Sequence, residues 1–216
     1  MPRVAFRVDS SSRIGIGHVS RCLALAHGLN AMGCEIFFVC KAHNGSNIDL
    51  IEAQGFKVFP LKIDNGFPLA PLKHSSWLGG GTKEDAEVTA SILTQNRVDL
   101  LIVDHYGLDI RWEREVSASC GQIMVIDDLG DRFHYCDYLL DQNFGVSTDK
   151  YDGIIPEQCK LLLGPKYALL RKEFSEMRNK SLEQRQYRQP SSILISFGGT
   201  DPDNYTGRVI KLLDDH

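Results

Sequence analysis

The fold is decided near the start of the chain by residues 6–18, which read FRVDSSSRIGIGH. The apolar run at 4–8 has the composition of a buried strand, and the serines and glycines after it predict a tight turn. Apolar residues then recur at helical spacing, which predicts that a helix begins at about Gly17. A strand, a glycine turn and a helix in this order present free backbone N–H groups that can bind a ligand at the helix start.

His18 is the unusual residue of this turn, because it places a titratable ring at the positive end of the predicted helix. That end of a helix disfavours imidazolium and favours a neutral ring that is able to accept a proton. Gly15 and Gly17 allow the backbone to approach a ligand closely. We therefore hypothesise that His18 is a general base above a ligand-binding cleft.

Composition limits the classes of function that this chain of 216 residues can serve. The apolar share of 43% is ordinary for a folded domain, and a net charge of −4 provides no basic field for nucleic acid. We find no signal-peptide pattern and no apolar run long enough to cross a bilayer. The six cysteines lack metal-finger spacing, so we expect reduced thiols in a cytoplasmic protein, with neither a metal site nor a cofactor.

Apolar runs alternate with helical patterns along the chain and predict an α/β domain with a parallel, Rossmann-type sheet. Further strands are predicted at 34–40, 56–61, 98–103, 123–126, 138–140 and 160–163, and helices at 48–54, 82–96 and 109–119. Thr82, with Asp85 three residues later, predicts a helix N-cap. The irregular stretch 62–81 carries Trp77, and a loop of this length is usually functional or disordered.

Polar residues follow three of the predicted strands. These residues are Asp104, His105 and Tyr106; Asp127 and Asp128; and Asp141, Gln142 and Asn143. Because ligands bind at the carboxyl ends of strands in open α/β sheets, we expect these side chains to meet at one edge. Capping and turn formation are an alternative explanation for any single carboxylate, and they account better for Asp127 and Asp128 than for the groups at 104–106 and 141–143.

The composition changes after residue 178, where we place the end of the first domain. Residues 179–190 are almost wholly polar, which is typical of an interdomain linker. A new apolar run at 193–195, a glycine turn containing Gly198, Gly199 and Thr200, and a helix from about 204 then predict the start of a second domain at 191–216. One strand and one helix cannot form a core, so we expect that this second domain is cut short.

Short motifs that span nearly the whole chain carry a resemblance. They are FRVDSSS at 6–12, GIGH at 15–18, WLG at 77–79, DHYG at 104–107, LDQN at 140–143, LGPKYALLR at 163–171 and SFGGTDP at 196–202. Together they resemble the pseudaminic acid pathway hydrolases, the PseG family, which act on UDP-2,4-diacetamido-2,4,6-trideoxy-β-L-altropyranose. The resemblance implies a glycosyltransferase B (GT-B) architecture similar to MurG, with two Rossmann-like domains across a cleft. It also implies a role in making a nonulosonic acid for surface glycans such as flagellin.

The family resemblance also implies roles for individual residues. His18 would activate water for attack at C1, with inversion and cleavage of the C–O bond, and without a metal. The first domain would hold the sugar, and the second domain, through Gly198, Gly199 and Thr200, would hold UDP. Candidate substrate contacts in the first domain are Asp9, Ser12, Gly15, Gly17, Trp77, Asp104, His105, Tyr106 and Asn143.

Three other functions stay open at this point. A glycosyltransferase of the same fold would use the same histidine with a sugar hydroxyl as acceptor, and product analysis separates it from a hydrolase. A sugar- or partner-binding domain without activity would not bind UDP in calorimetry. A dinucleotide-binding oxidoreductase is disfavoured, because Ser20 lies where the third glycine of GxGxxG would fall.

Overall fold

The structure is a computed structural model that describes residues 1–64, 66, 72–186, 192–197, 201 and 203–214. Gly198, Gly199 and Thr200, which the sequence predicts to bind the diphosphate, lie outside the described residues.

In the described part of the chain, seven parallel strands form a single sheet in the order β3-β2-β1-β4-β5-β6-β7. The strands are β1 Arg3–Val8, β2 Glu35–Lys41, β3 Lys57–Leu61, β4 Val98–Asp104, β5 Cys120–Ile126, β6 Tyr138–Asp141 and β7 Lys160–Leu163. The chain reverses its direction across the sheet between β1 and β4, and ligands bind at such switch points in doubly wound folds. The predicted parallel α/β sheet is confirmed.

Four of the described helices cover both faces of this sheet, namely α1 Gly17–Ala31, α2 Ile48–Ala53, α3 Thr82–Asn96 and α4 Ile110–Ser117. Two further helices, α5 Lys172–Gln186 and α6 Tyr205–Asp214, contribute no described residue to either apolar layer, and 3₁₀ turns lie at Ser75–Trp77, Thr148–Tyr151 and Pro165–Tyr167. Successive strand residues face opposite sides, so Phe6 packs with α1 and α2 whereas Ala5 packs with α3 and α4. Two apolar layers therefore hold the carboxyl ends of the strands in fixed positions.

The predicted N-cap at Thr82 is wrong. Helix α3 has Gly81 at its N-cap position and no side-chain cap there. Asp85 is buried instead, where its carboxylate pairs with Arg7 (Nη2–Oδ2 2.8 Å) and accepts a hydrogen bond from Trp112 (Nε1–Oδ1 3.0 Å). The physical reason is that a buried guanidinium on a central strand must be paired, whereas the N–H of Gly81 at the helix start donates to Oδ1 of Asp64 at 2.7 Å.

The last part of the chain differs from the sequence prediction in two places. Helix α5 runs on to Gln186, past residue 178 and into the segment predicted as a linker. Residues 192–197 carry no strand, although 193–195 were predicted as one. A strand is stable only when a neighbouring strand takes up its backbone hydrogen bonds, and none of the described strands pairs with this segment. The domain boundaries themselves stay a prediction.

All six cysteines are free thiols, and the sulfurs of Cys136 and Cys159 lie 3.6 Å apart. Within the part of the chain that the structure describes, none of the helices combines the length and apolarity that crossing a bilayer requires. The same residues contain no group of three or more histidine, cysteine or acidic side chains that is placed to hold a metal ion.

Candidate active site

A cleft of about 460 Å³ opens beside the N-terminus of α1 and the ends of β4 and β6. Its lining residues are Ile14, Gly17, His18, Ser20, Arg21, Tyr106, Gln142, Leu169, Leu170, Arg171 and Phe174. Three of them, Gly17, His18 and Tyr106, are residues that the sequence predicts as functional.

The turn before α1 places the first residues of the helix beside this cleft. Gly15 has a φ of +81°, a conformation that strongly favours glycine, and its N–H donates to the carbonyl of Ser11 at 2.8 Å. The hydroxyl of Ser11 accepts a hydrogen bond from the N–H of Ile14 at 3.0 Å. Ile16 then occupies the N-cap position of α1 without a side-chain cap. Ser12, a predicted substrate contact, is exposed on the outer side of this turn and does not line the cleft.

His18 is largely enclosed, with 10% of its side chain exposed, and its Nδ1 lies 2.6 Å from Oδ1 of Asp104. Burial alone would raise the pKa of Asp104, but His18 and Arg21 outweigh it and lower that pKa to about 2. An ionised carboxylate only accepts hydrogen bonds, so we assign the proton of a neutral His18 ring to Nδ1. This tautomer leaves Nε2 with the lone pair that a general base needs.

Arg21 completes a group of three side chains that we call the His18 cluster (His18, Arg21 and Asp104). The guanidinium of Arg21 donates two hydrogen bonds to the carboxylate of Asp104, from Nε to Oδ2 and from Nη2 to Oδ1, each of 2.6 Å. Its Nη2 also lies 3.3 Å from Nδ1 of His18. Sequence reasoning missed Arg21, although its position three residues after His18 on one helix face was an available signal.

Aromatic rings enclose the other sides of His18. The ring centroid of Tyr106 lies 4.6 Å from that of His18, and the centroid of Trp77 lies 5.9 Å away, both at steep angles. The 3₁₀ turn Ser75–Trp77 brings in Trp77 together with His74, whose ring lies 4.5 Å from the indole. The hydroxyl of Tyr106 donates to Oδ1 of Asp128 at 2.5 Å, which fixes the phenol ring. The structure thus gathers two predicted residues and the unpredicted His74 around the imidazole.

Asp9 and His105 belong to a second polar group, which lies inside the domain. Oδ1 of Asp9 accepts from Arg7 and from the backbone N–H of Lys41, and Oδ2 of Asp9 faces Nε2 of His105 at 3.2 Å. Nδ1 of His105 accepts from the N–H of Gly107, so the proton of the ring lies on Nε2. Burial lowers the pKa of His105 and thereby favours its neutral form.

Asp9, His105 and Asp104, which the sequence predicts as substrate contacts, are buried, and their contact with substrate stays a prediction. Each is at most 3% exposed, and the two carboxylates pair with arginines, Asp9 with Arg7 and Asp104 with Arg21. Asn143 also lies away from the cleft, since its N–H donates to Oδ1 of Asp141 in a turn that leaves the residue exposed. Gln142 lines the cleft in its place, and its Oε1 accepts from the N–H of Leu169 at 2.9 Å.

The remaining strand-end carboxylates hold loops in place. Asp127 pairs with Arg132 at 2.6 Å, and Asp141 pairs with Lys150 at 2.8 Å and accepts from the hydroxyl of Tyr151 at 2.9 Å. Both carboxylates are fully enclosed. For these two residues the structure favours the interpretation as turn and loop anchors.

The chain is similar to known proteins along almost its whole length. It is 29% identical over 211 residues to the UDP-2,4-diacetamido-2,4,6-trideoxy-beta-L-altropyranose hydrolase of Campylobacter jejuni, which covers 98% of this chain and 65% of that protein. It is also 29% identical over 217 residues to the uncharacterized protein MJ1062 of Methanocaldococcus jannaschii, covering 98% of this chain and 40% of that protein. The predicted resemblance to the hydrolase is confirmed. No protein-family profile matches the chain.

Among solved structures, MurG of Acinetobacter baumannii superposes with a TM-score of 0.50 at 13% identity, covering 74% of this chain and 44% of MurG. At this identity the likeness shows the fold alone, and it confirms the predicted MurG-like α/β architecture. The chain thus spans less than two thirds of the length of each of these three proteins.

Proposed function

We propose that this chain forms the sugar-binding and catalytic side of a UDP-sugar hydrolase. The substrate is a UDP-linked 2,4-diacetamido-2,4,6-trideoxy hexose, and the products are the free sugar and UDP. The observation that carries the proposal is the His18–Asp104 contact of 2.6 Å at a cleft, which leaves one ring nitrogen able to take a proton. The similarity to the C. jejuni hydrolase over 98% of the chain supports the substrate class.

In the proposed reaction, Nε2 of His18 takes a proton from water while the water oxygen attacks C1 of the sugar. The bond between C1 and the UDP oxygen breaks, its electron pair leaves with the diphosphate, and the configuration at C1 inverts. Asp104 holds the ring in the Nδ1–H tautomer and in its orientation through the 2.6 Å contact. A general base of this kind supplies about 10²–10⁴-fold in rate.

The leaving group needs less assistance from the protein. A diphosphate leaves readily without a proton donor, so the proposed reaction uses no cofactor or metal ion. Arg171, which lines the cleft, supplies a positive charge on the side of the anionic diphosphate. Gly198, Gly199 and Thr200 of the second glycine turn are our candidates for the remaining diphosphate contacts through backbone N–H groups.

The aromatic rings beside His18 suit the proposed sugar. Trp77 and Tyr106 offer apolar faces near the imidazole, and a trideoxy sugar with two acetamido groups presents methyl groups in place of hydroxyls. We assign Asp9 and His105 to the support of this site rather than to substrate contact. We place the activity in the cytoplasm, in the pathway that supplies pseudaminic acid for surface glycans such as flagellin.

The decisive test is an NMR time course of the full-length protein with the candidate UDP-sugar in ¹⁸O-labelled water. We expect ¹⁸O in the free sugar and none in UDP, and we expect His18→Asn to slow turnover by about 10²–10⁴-fold. His27→Asn is the matched control, because His27 is an exposed histidine on the same helix α1. Near wild-type turnover by His18→Asn contradicts the proposal. Turnover that requires an acceptor sugar favours a glycosyltransferase instead.

A further inference from the structure

We propose that Arg21 is a positioning residue that compensates the charge of Asp104 and so leaves the His18 ring able to accept a proton. The inference rests on the proposed function, in which His18 is the base. It adds that the guanidinium of Arg21 sets the pH range in which this base is active. It concerns a residue that contacts His18 and Asp104 together.

The geometry makes Asp104 a shared acceptor. Its Oδ1 accepts hydrogen bonds from Nδ1 of His18 and from Nη2 of Arg21, each at 2.6 Å. Its Oδ2 accepts a hydrogen bond from Nε of Arg21, also at 2.6 Å. Asp104 is fully buried and 13% of the Arg21 side chain is exposed, so solvent screens these charges weakly. A change in charge at Arg21 therefore acts on His18 at close range.

A carboxylate alone beside a histidine favours imidazolium, because the opposite charge stabilises the protonated ring. An imidazolium has no lone pair and cannot accept a proton from water. With Arg21 in place, the carboxylate and the guanidinium together carry no net charge. Asp104 then orients the ring through its hydrogen bond without holding the ring in its charged form.

Among the described residues, Arg21 supplies the guanidinium that contacts Asp104 directly, while Arg171 in the same cleft and the N-terminus of α1 add positive potential near His18. The polar and titratable groups that face the His18 cluster are Cys22 from α1, Tyr106 after β4, Asp128 after β5, and His74 and Trp77 before α3. Burial raises the pKa of Cys22 and of Tyr106 and lowers that of His74, which favours the neutral form of each. Asp128 lies 3.7 Å from Nη1 of Arg21, so loss of Arg21 exposes His18 to a second carboxylate as well.

The test is a histidine NMR titration of this chain without any substrate, with the His18 signal assigned by its loss in His18→Asn. In Arg21→Gln we expect the pKa of His18 to rise by about one pH unit or more. The matched control is Arg111→Gln, which removes an arginine that pairs with Asp109 on the far helix α4. This control should leave the pKa of His18 unchanged.

Kinetics of the full-length protein provide a second readout, which a merely structural role would not move. The acid limb of kcat/KM should move to higher pH in Arg21→Gln by as much as the pKa of His18 rises. At the acid end, kcat/KM should then fall about tenfold for each pH unit by which the limb moves. On the alkaline plateau the loss of kcat/KM should be smaller than at the acid end, because the base is already neutral there.

Arg21→Lys separates charge from hydrogen-bond geometry, since it keeps the charge and loses the two-pronged contact. We expect the pKa of His18 in this variant to stay close to that of the wild type. An unchanged or lowered pKa of His18 in Arg21→Gln overturns the inference. A rise of a full pH unit in the pKa of His18 in Arg21→Lys also overturns it. If Arg21→Gln does not fold, the result for Arg21→Lys decides alone. If His18→Asn keeps its turnover while Arg21→Gln raises the pKa of His18, the proposed function fails and the electrostatic role of Arg21 stands.

Discussion

Two polar groups of nearly the same composition lie at the carboxyl end of the sheet, and only one of them borders a cleft. The His18 cluster combines a histidine, an arginine and the strand-end carboxylate of Asp104. The second group, which we call the Arg7 cluster, consists of Arg7, Asp9, Asp85 and His105. The residue types are thus shared, and the difference lies in what surrounds the histidine.

In the Arg7 cluster both nitrogens of His105 face protein atoms, and 1% of its side chain is exposed. In the His18 cluster the ring lies at a helix start after a glycine turn, so one nitrogen is engaged and the ring borders the cleft. The comparison teaches that the same charges form a scaffold where they are closed in on all sides. In the proposed function they form a reactive site where the histidine ring borders a cleft.

The largest expected effect is on stability and concerns the Arg7 cluster. Asp85→Asn removes the charge that pairs with Arg7 and leaves a buried guanidinium with fewer partners. We expect the free energy of unfolding to fall by about 3–5 kcal/mol, measured by urea denaturation. The control is Glu87→Gln on the same helix, an exposed residue whose loss should cost about 0.5 kcal/mol or less. A loss below about 1 kcal/mol for Asp85→Asn would contradict the scaffold role.

The next effect is on catalysis and compares the strand-end carboxylates Asp104 and Asp9. Asp104→Asn keeps the size of the side chain but loses control of the His18 tautomer, so we expect kcat to fall by about 10²-fold or more. Asp9→Asn should mainly lower stability and change kcat per folded molecule much less, because Asp9 contacts His105 and not His18. Steady-state kinetics on both variants, corrected for the folded fraction, make this comparison. Equal losses of kcat would show that the two groups do not differ in function.

The sequence was sufficient to predict the features that depend on local patterns. Helix α1 begins at Gly17 as expected, and His18 lies on its first turn. These features follow from apolar periodicity and from a turn in which Gly15 adopts a positive φ. The alternation of strands and helices predicted the parallel sheet for the same reason, since each element carries its own signal.

What the sequence could not predict depends on contacts between distant residues. Arg21 and Asp104 are 83 positions apart, and no local pattern connects them. Asp85 matched the pattern of a helix cap, but burial next to Arg7 decided its role. The sequence predicted Asn143 as a substrate contact, but Gln142 lines the cleft instead. The backbone N–H of Asn143 donates to Asp141 in a turn, which the sequence pattern did not reveal.

The smallest expected effect concerns the aromatic side of the His18 cluster. Tyr106→Phe removes the hydroxyl that donates to Asp128 and leaves the ring beside His18. A single hydrogen bond of this kind contributes about 0.5–1.5 kcal/mol, so we expect kcat/KM to fall by about 2–10-fold. Tyr135→Phe is the control, because Tyr135 is an exposed residue that does not line the cleft. A loss of 10²-fold or more in Tyr106→Phe would mean that the phenol itself takes part in proton transfer. The distinction between the two clusters would then rest on two side chains rather than on His18 alone.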